Sequence, residues 1–261
     1  MIVFFDIDGT IISDDDNHIV PESTVTAIRA ARKNGHLMYI NTGRTIMNIE
    51  KELRDIGFDG YVCGCGTYIE CGGRVLLNRT VPKKLCNEIA ELIFECDMTP
   101  LYERSDAFFT DKRTRQIGGF PALKERFRTQ GKDVSRDVSD ADFGFDKLVA
   151  WYDESSNLEQ FKSGVADEFD YIDRGYGFCE LAVKGFSKGT GIKEVCDYHN
   201  IPIDEALAIG DSLNDLPMLE AVRNSIAMGE STEYLKQKSA FVTKDLYDDG
   251  IKYALEHFGL I

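Results

Sequence analysis

The chain has 261 residues, which at about 150 residues per domain is one large domain or two small ones. Hydrophobic residues make up 43% and charged residues 29%, a globular balance that excludes disordered, collagenous and low-complexity chains. The net charge of −15 repels phosphate backbones and anionic lipid, so nucleic acid and membrane surfaces are poor partners.

No apolar run approaches the roughly 20 residues that span a bilayer. Residues Met1 to Asp6 carry no basic segment and no small-residue cleavage site, so no signal peptide is expected. The seven cysteines are scattered and odd in number, which reads as reduced thiols in a cytoplasmic protein. Cys63, Cys65 and Cys71 form the one cluster; it lacks zinc spacing and a nearby fourth ligand.

Ile2 to Phe5 is a short continuous apolar run, the pattern of a strand buried on both faces. Pro21 opens a helical stretch with Val25, Ile28 and Ala31 on one side, and Gly35 stops it. His36 to Ile40 is a second apolar strand. Ile46, Ile49, Leu53 and Ile56 then predict one amphipathic helix, and Tyr61 to Cys63 a third strand. The opening therefore reads β-α-β-α-β, the rhythm of a parallel sheet with covering helices.

After that the rhythm changes. Gly72-Gly73 between Tyr68–Glu70 and Val75–Leu77 predicts a hairpin. Pro82 starts a helix, and a second hairpin is expected at residues 101–110. Residues 111–145 are mixed and charged. A strand at 147–152, a helix near 158–169 and strands at 171–174 and 178–183 complete an α+β stretch. From Ser187 the α/β rhythm returns: a helix through Ile192 and Val195, a buried strand at Ala206 to Ile209, a helix with Leu216 to Val222, and short strands near 225–228 and 241–243. The organisation expected is an α/β core from residues 1–82 and 185–261, with an α+β module inserted at 83–184.

Four signals stand at or just after strand ends, where open α/β sheets bind ligands. Asp6-Ile7-Asp8-Gly9-Thr10 places two carboxylates at i and i+2, a costly pairing unless a cation or proton intervenes. Alone it also reads as a turn or a calcium-loop fragment, but a calcium loop needs a glutamate where Asn17 stands. Thr42-Gly43-Arg44 offers a hydroxyl and backbone N–H groups to an anion, or is simply a cap and a turn. Ser187-Lys188-Gly189 puts a compact cation at a helix start; a lone lysine is usually solvated. Gly210-Asp211-Ser212-Leu213-Asn214-Asp215 follows a strand, and reads blandly as a helix cap with first-turn acids.

In this order the four stretches resemble motifs one to four of the haloacid dehalogenase superfamily. The module between the second and third resembles its type IIB, Cof-like branch. The resemblance implies a Rossmann-like core with a C2B-type cap, and a Mg²⁺-dependent phosphatase of small phosphorylated metabolites, sugar phosphates foremost. It implies Asp6 as nucleophile and Asp8 as general acid and base. It implies a metal held by Asp6, Asp211 and Asp8, the last through its main-chain carbonyl. Thr42, Gly43, Lys188 and Asn214 would bind phosphate, with Asp215 and Arg44 behind them and Asp215 holding Lys188. The cap would act as a lid, with Arg113, Arg115, Arg174 and Tyr176 as candidate substrate contacts; Phe108, Phe109 and Trp151 read as packing. The chain departs from the branch after the third strand, where Cys65-Gly66-Thr67 stands in place of Asn-Gly-Ala.

Rival chemistries lack their residues. None of the four histidines lies in an Arg-His-Gly setting, no cysteine is followed six residues later by arginine, and no G-x4-GK-[ST] loop is present. A phospho-accepting signalling module uses similar acids and a lysine, but needs about half this length. A phosphosugar mutase is a variant within the same enzyme class. The sequence leaves the oligomeric state and the particular substrate open.

Overall fold

The computed structural model describes residues 1–13, 15 and 18–261; Asn17, which argued against a calcium loop, lies outside them. The chain divides into two compact units, Met1–Leu77 with Phe186–Ile261, and Asn78–Gly185. The first crossing lies ahead of the 82/83 expected from Pro82. Strand β5 ends at Asn78, and the Val81 N–H already donates to the Phe145 carbonyl (3.2 Å) of the inserted unit.

The first segment carries β1 (Ile2–Phe5), α1 (Glu22–Lys33), β2 (Leu37–Asn41), α2 (Lys51–Arg54), β3 (Gly60–Cys63), β4 (Tyr68–Cys71) and β5 (Arg74–Asn78). The insert carries α3 (Lys83–Glu95), β6 (Thr99–Arg104), β7 (Ala107–Phe109), α4 (Phe120–Thr129), β8 (Lys147–Trp151), α5 (Leu158–Val165), β9 (Phe169–Gly175) and β10 (Phe178–Val183). The last segment adds α6 (Lys188–His199), β11 (Ala206–Gly210), α7 (Leu216–Ala221), β12 (Asn224–Ala227), α8 (Glu233–Lys238), β13 (Phe241–Val242) and α9 (Gly250–His257).

The larger unit is built on one eight-stranded sheet in the order β13-β12-β11-β1-β2-β3-β4-β5. The six strands from β13 to β3 run parallel, and β4 turns back antiparallel on β3. Its centre is β1, which alternates its side chains between two cores. Val3 and Phe5 pack with Ile28, Ile251 and Leu255 on one face, and Ile2 and Phe4 with Ile192, Val195 and Met218 on the other. Helices on both faces leave the carboxyl ends of the parallel strands to be closed by loops, and those loops carry the polar side chains.

The inserted unit is a five-stranded antiparallel sheet, β7-β6-β8-β10-β9. Helices α3 and α5 cover one face through Ile89, Ile93, Phe161 and Val165. Helix α4, which the mixed stretch 111–145 did not reveal, places Phe127 on Phe108 and Phe120 on Trp151. Phe108, Phe109 and Trp151 are buried.

One expected helix is broken. Ile46, Ile49, Leu53 and Ile56 are all buried, as the spacing predicts, but only Ile46 lies on a 3-10 turn (Ile46–Asn48) and only Leu53 on the single-turn α2. Ile49 and Glu50 between them are extended. Arginines take over the carbonyls that a continuous helix would pair: Arg54 donates to the Ile49 (3.1 Å) and Ile46 carbonyls, and Arg44 to that of Asn48 (3.3 Å).

Candidate active site

The site of the larger unit is assembled at the carboxyl ends of three adjacent strands, β11, β1 and β2. Asp6 directly follows β1, and its N–H continues the ladder to the Ile209 carbonyl at 3.0 Å. The chain then folds back through Gly9, whose φ is +74° and where a Cβ would overlap the Asp211 carboxylate. That close approach lets the buried Thr10 hydroxyl donate to Asp211 Oδ1 at 3.3 Å.

Lys188 is the first residue of α6, whose N-terminus is closed by a reciprocal capping box between Ser187 and Thr190. Its ammonium is 1% exposed and lies 2.7 Å from Asp6 Oδ1 and 2.6 Å from Asp215 Oδ1. The second oxygen of Asp215 accepts the N–H groups of Asp211 (3.0 Å) and Ser212 (3.1 Å). Asp215 is therefore engaged on both oxygens, holding the lysine on one side and shaping the turn after β11 on the other.

Carboxylate oxygens of Asp6, Asp211 and Asp215 lie within 4.8 Å of one another. Three carboxylates face one ammonium, and burial denies them water. Burial first, then the charge of Asp215, pushes the Asp6 carboxyl up to about 7 against the opposing pull of Lys188. Burial, then Asp215 and Asp6, pushes Asp211 up to about 8. Burial disfavours the Lys188 charge too, but Asp215 and Asp6 outweigh it and hold the ammonium above its usual range. This donor set of hard carboxylate oxygens with surplus negative charge fits a small divalent cation such as Mg²⁺. Asp6 and Asp211 are the residues that would hold it; Asp215 has its oxygens committed.

Asp8 is not part of this triad. Its carboxylate is turned to Arg44, which donates through Nε (3.0 Å) and Nη2. Arg44 also reaches Glu50 (2.6 Å). Thr42 is buried after β2, its hydroxyl accepting the Arg44 N–H at 3.2 Å, and Gly43 beside it is buried. Asn214 is half-buried and accepts a hydrogen bond from the Ser212 hydroxyl at 2.6 Å.

Two further residues belong to this cluster. Asn41 ends β2, and its amide donates to the Lys188 carbonyl at 2.9 Å. Gly66, after β3, leaves no room for a Cβ against the Ser187 carbonyl. The available signal was a polar residue closing the apolar run Leu37–Ile40. In the inserted unit the arginines singled out from sequence hold internal ion pairs: Arg113 with Asp111 and Glu91 (both 2.7 Å), Arg115 with Asp97 (2.8 Å) and Asp153 (3.0 Å), Arg174 with Glu180 (3.2 Å). Tyr176 is fully exposed at the β9–β10 turn.

A sequence profile of haloacid dehalogenase-like hydrolases matches residues 3–255. The chain belongs to that family. This haloacid dehalogenase-like hydrolase is 28% identical to a phosphoglycolate phosphatase of Methanobrevibacter smithii, over 98% of its own length and 97% of the relative's. It is 25% identical to an HMP-PP phosphatase of Yersinia enterocolitica, over 97% and 93% of the two chains. Its structure is similar to that of the subclass IIB sugar phosphatase BT4131, with a TM-score of 0.82 and 27% identity, over 100% and 99% of the chains. It is an enzyme, a phosphoric monoester hydrolase of the haloacid dehalogenase-like type. Among the described residues no helix is long and apolar enough to cross a membrane.

Proposed function

We propose that this enzyme hydrolyses small phosphorylated metabolites, sugar phosphates foremost, through an aspartyl-phosphate on Asp6, with Mg²⁺ as cofactor. One observation carries the reading. Asp6 stands at the end of the central strand with one oxygen held by Lys188 and the other without a hydrogen-bond partner among the described residues. A carboxylate so fixed is a nucleophile with one lone pair aimed by the fold.

In this reading Asp6 Oδ2 attacks phosphorus, the ester P–O bond breaks, and the leaving oxygen takes a proton from Asp8. Asp8 then takes a proton from water, which attacks phosphorus; the Asp6–phosphorus bond breaks and inorganic phosphate leaves. The two-nitrogen contact from Arg44 would fix the direction in which the Asp8 carboxyl points. Thr42, the Gly43 N–H and Asn214 would bind phosphate oxygens, and Lys188 offsets charge that builds on them. Mg²⁺, when bound by Asp6, Asp211 and the Asp8 main-chain carbonyl, supplies positive charge that removes repulsion between carboxylate and phosphate. The seven free cysteines support a cytoplasmic site of action.

The test is phosphate release from a panel of phosphorylated metabolites and from p-nitrophenyl phosphate, with and without Mg²⁺. Asp6→Asn is expected to lose at least about 10³-fold in kcat. A variant that turned over p-nitrophenyl phosphate at the wild-type rate would reject the assignment.

A further inference from the structure

Lys188 is useful only if its ammonium stays between two carboxylates, and its side chain is the long, flexible kind. Its main chain is therefore the part that needs fixing. Asn41 does this from the neighbouring element. It is fully buried at the end of β2, between the apolar Ile40 and the buried Thr42, and its Nδ2 donates to the Lys188 carbonyl at 2.9 Å across 147 residues of sequence. Its other amide atom, Oδ1, is buried with no hydrogen-bond partner among the described residues. A buried unpaired oxygen costs free energy. The Lys188 carbonyl stands at the first position of α6, where the helix itself supplies a donor, so capping does not require Asn41. A polar group kept at a cost, for a bond that the helix does not need, is explained by what it positions. The loop after β3 lies close to the same stretch, because a Cβ at Gly66 would overlap the Ser187 carbonyl, one residue before Lys188.

We propose that Asn41 is a positioning residue that clamps the backbone of Lys188, so that the ammonium stays centred between Asp6 and Asp215. The proposal rests on the phosphatase reading for its catalytic consequence, though not for the clamp itself. Asn41→Leu keeps the branched shape, with larger methyl ends, and removes the donor. On p-nitrophenyl phosphate it is expected to lower kcat about 10–100-fold, the effect of a small misplacement, and to leave KM within about threefold. In a Lys188→Met background the same change is expected to cost less than about twofold, because the group it positions is gone. A structural role would lower both backgrounds alike.

A clamp also predicts a readout apart from turnover. Modification of Lys188 by trinitrobenzenesulfonate, followed by peptide mass spectrometry, is expected to be faster in Asn41→Leu than in wild type, with the exposed Lys193 unchanged. Asn41→Ala serves in the same assays where the leucine variant does not fold. Unchanged kcat, losses that multiply with Lys188→Met, or unchanged labelling of Lys188 overturns the proposal. Absence of phosphate release from the wild-type enzyme overturns the reading of the site instead, and the labelling rate then decides the clamp alone.

Discussion

The guanidinium of Arg44 grips the carboxylate of Asp8 with two of its nitrogens while a third reaches Glu50 2.6 Å away. The fork fixes the orientation of Asp8. Arg44→Met is therefore expected to lower kcat on p-nitrophenyl phosphate by about 10–100-fold, the range of a misdirected acid–base group. Arg44→Lys is expected to restore little, since an ammonium cannot make the paired contact. Wild-type turnover in the lysine variant removes the fork from the explanation.

Lys188 is expected to matter to the fold and to the chemistry. Replacing it with methionine removes the cation from two buried carboxylates, a change worth about 3–5 kcal/mol when a buried pair loses one partner. Urea unfolding measures it, and adding Asp215→Asn to the variant is expected to recover part of the loss. The same Lys188→Met change is expected to cost about 10²–10³-fold in kcat, as for one lost charge stabiliser. A stability loss as small as that of an exposed pair, about 1 kcal/mol or less, is the result that contradicts this.

Asp6 and Asp211, with Asp146 pushed up to about 6 by burial acting in the same direction, bias the pH dependence of the metal-free protein. Asp6 titrates at about 7 and Asp211 at about 8 in the folded chain, against 3.8 for each ordinarily. The folded state thus binds more protons than the unfolded state in between, and stability falls as pH rises from about 4 to about 8. A thermal melt series in EDTA is expected to show Tm falling across that window. Millimolar Mg²⁺ is expected to flatten the slope, because a cation bound by the ionised acids replaces the protons. Identical slopes with and without Mg²⁺ refute a metal at these acids.

Gly9 joins backbone conformation to the site. Its φ of +74° and the crowding of a Cβ against the Asp211 carboxylate act together. Gly9→Ala is expected to destabilise the fold by at least about 1 kcal/mol and to weaken Mg²⁺ binding, read by calorimetry. Unaltered Mg²⁺ affinity in a folded Gly9→Ala variant contradicts the crowding.

Strands were legible where the apolar run was short and bounded: Ile2 to Phe5 and Ala206 to Ile209 need only a rule about doubly buried strands. The helix expected through Ile46, Ile49, Leu53 and Ile56 kept its buried face and lost its continuity. Arg44 and Arg54 offered carbonyl partners that periodicity does not count. Helices α4 and α9 are absent from the predicted elements, the former lying amid charged residues, the latter beyond the last predicted strand. Asp6, Asp211, Asp215 and Lys188 stand together in the fold because each closes a strand or opens a helix. Asn41 shows locally only as a polar residue closing an apolar run; its meaning lies in a contact with a residue 147 positions away. The arginines of the insert looked available in sequence and are tied to nearby acids in space.

Strand β1 pairs with β2 on one edge and with β11 on the other, and β11 begins only at Ala206. A ribosome making roughly 5–20 residues per second leaves one edge of that apolar strand open for about ten seconds or more. Asp6 and Asp211, which follow β1 and β11, can meet only once β11 has been made. An enzyme wired this way is inert until Asp211 has been synthesised, and it is most aggregation-prone while that strand edge is open.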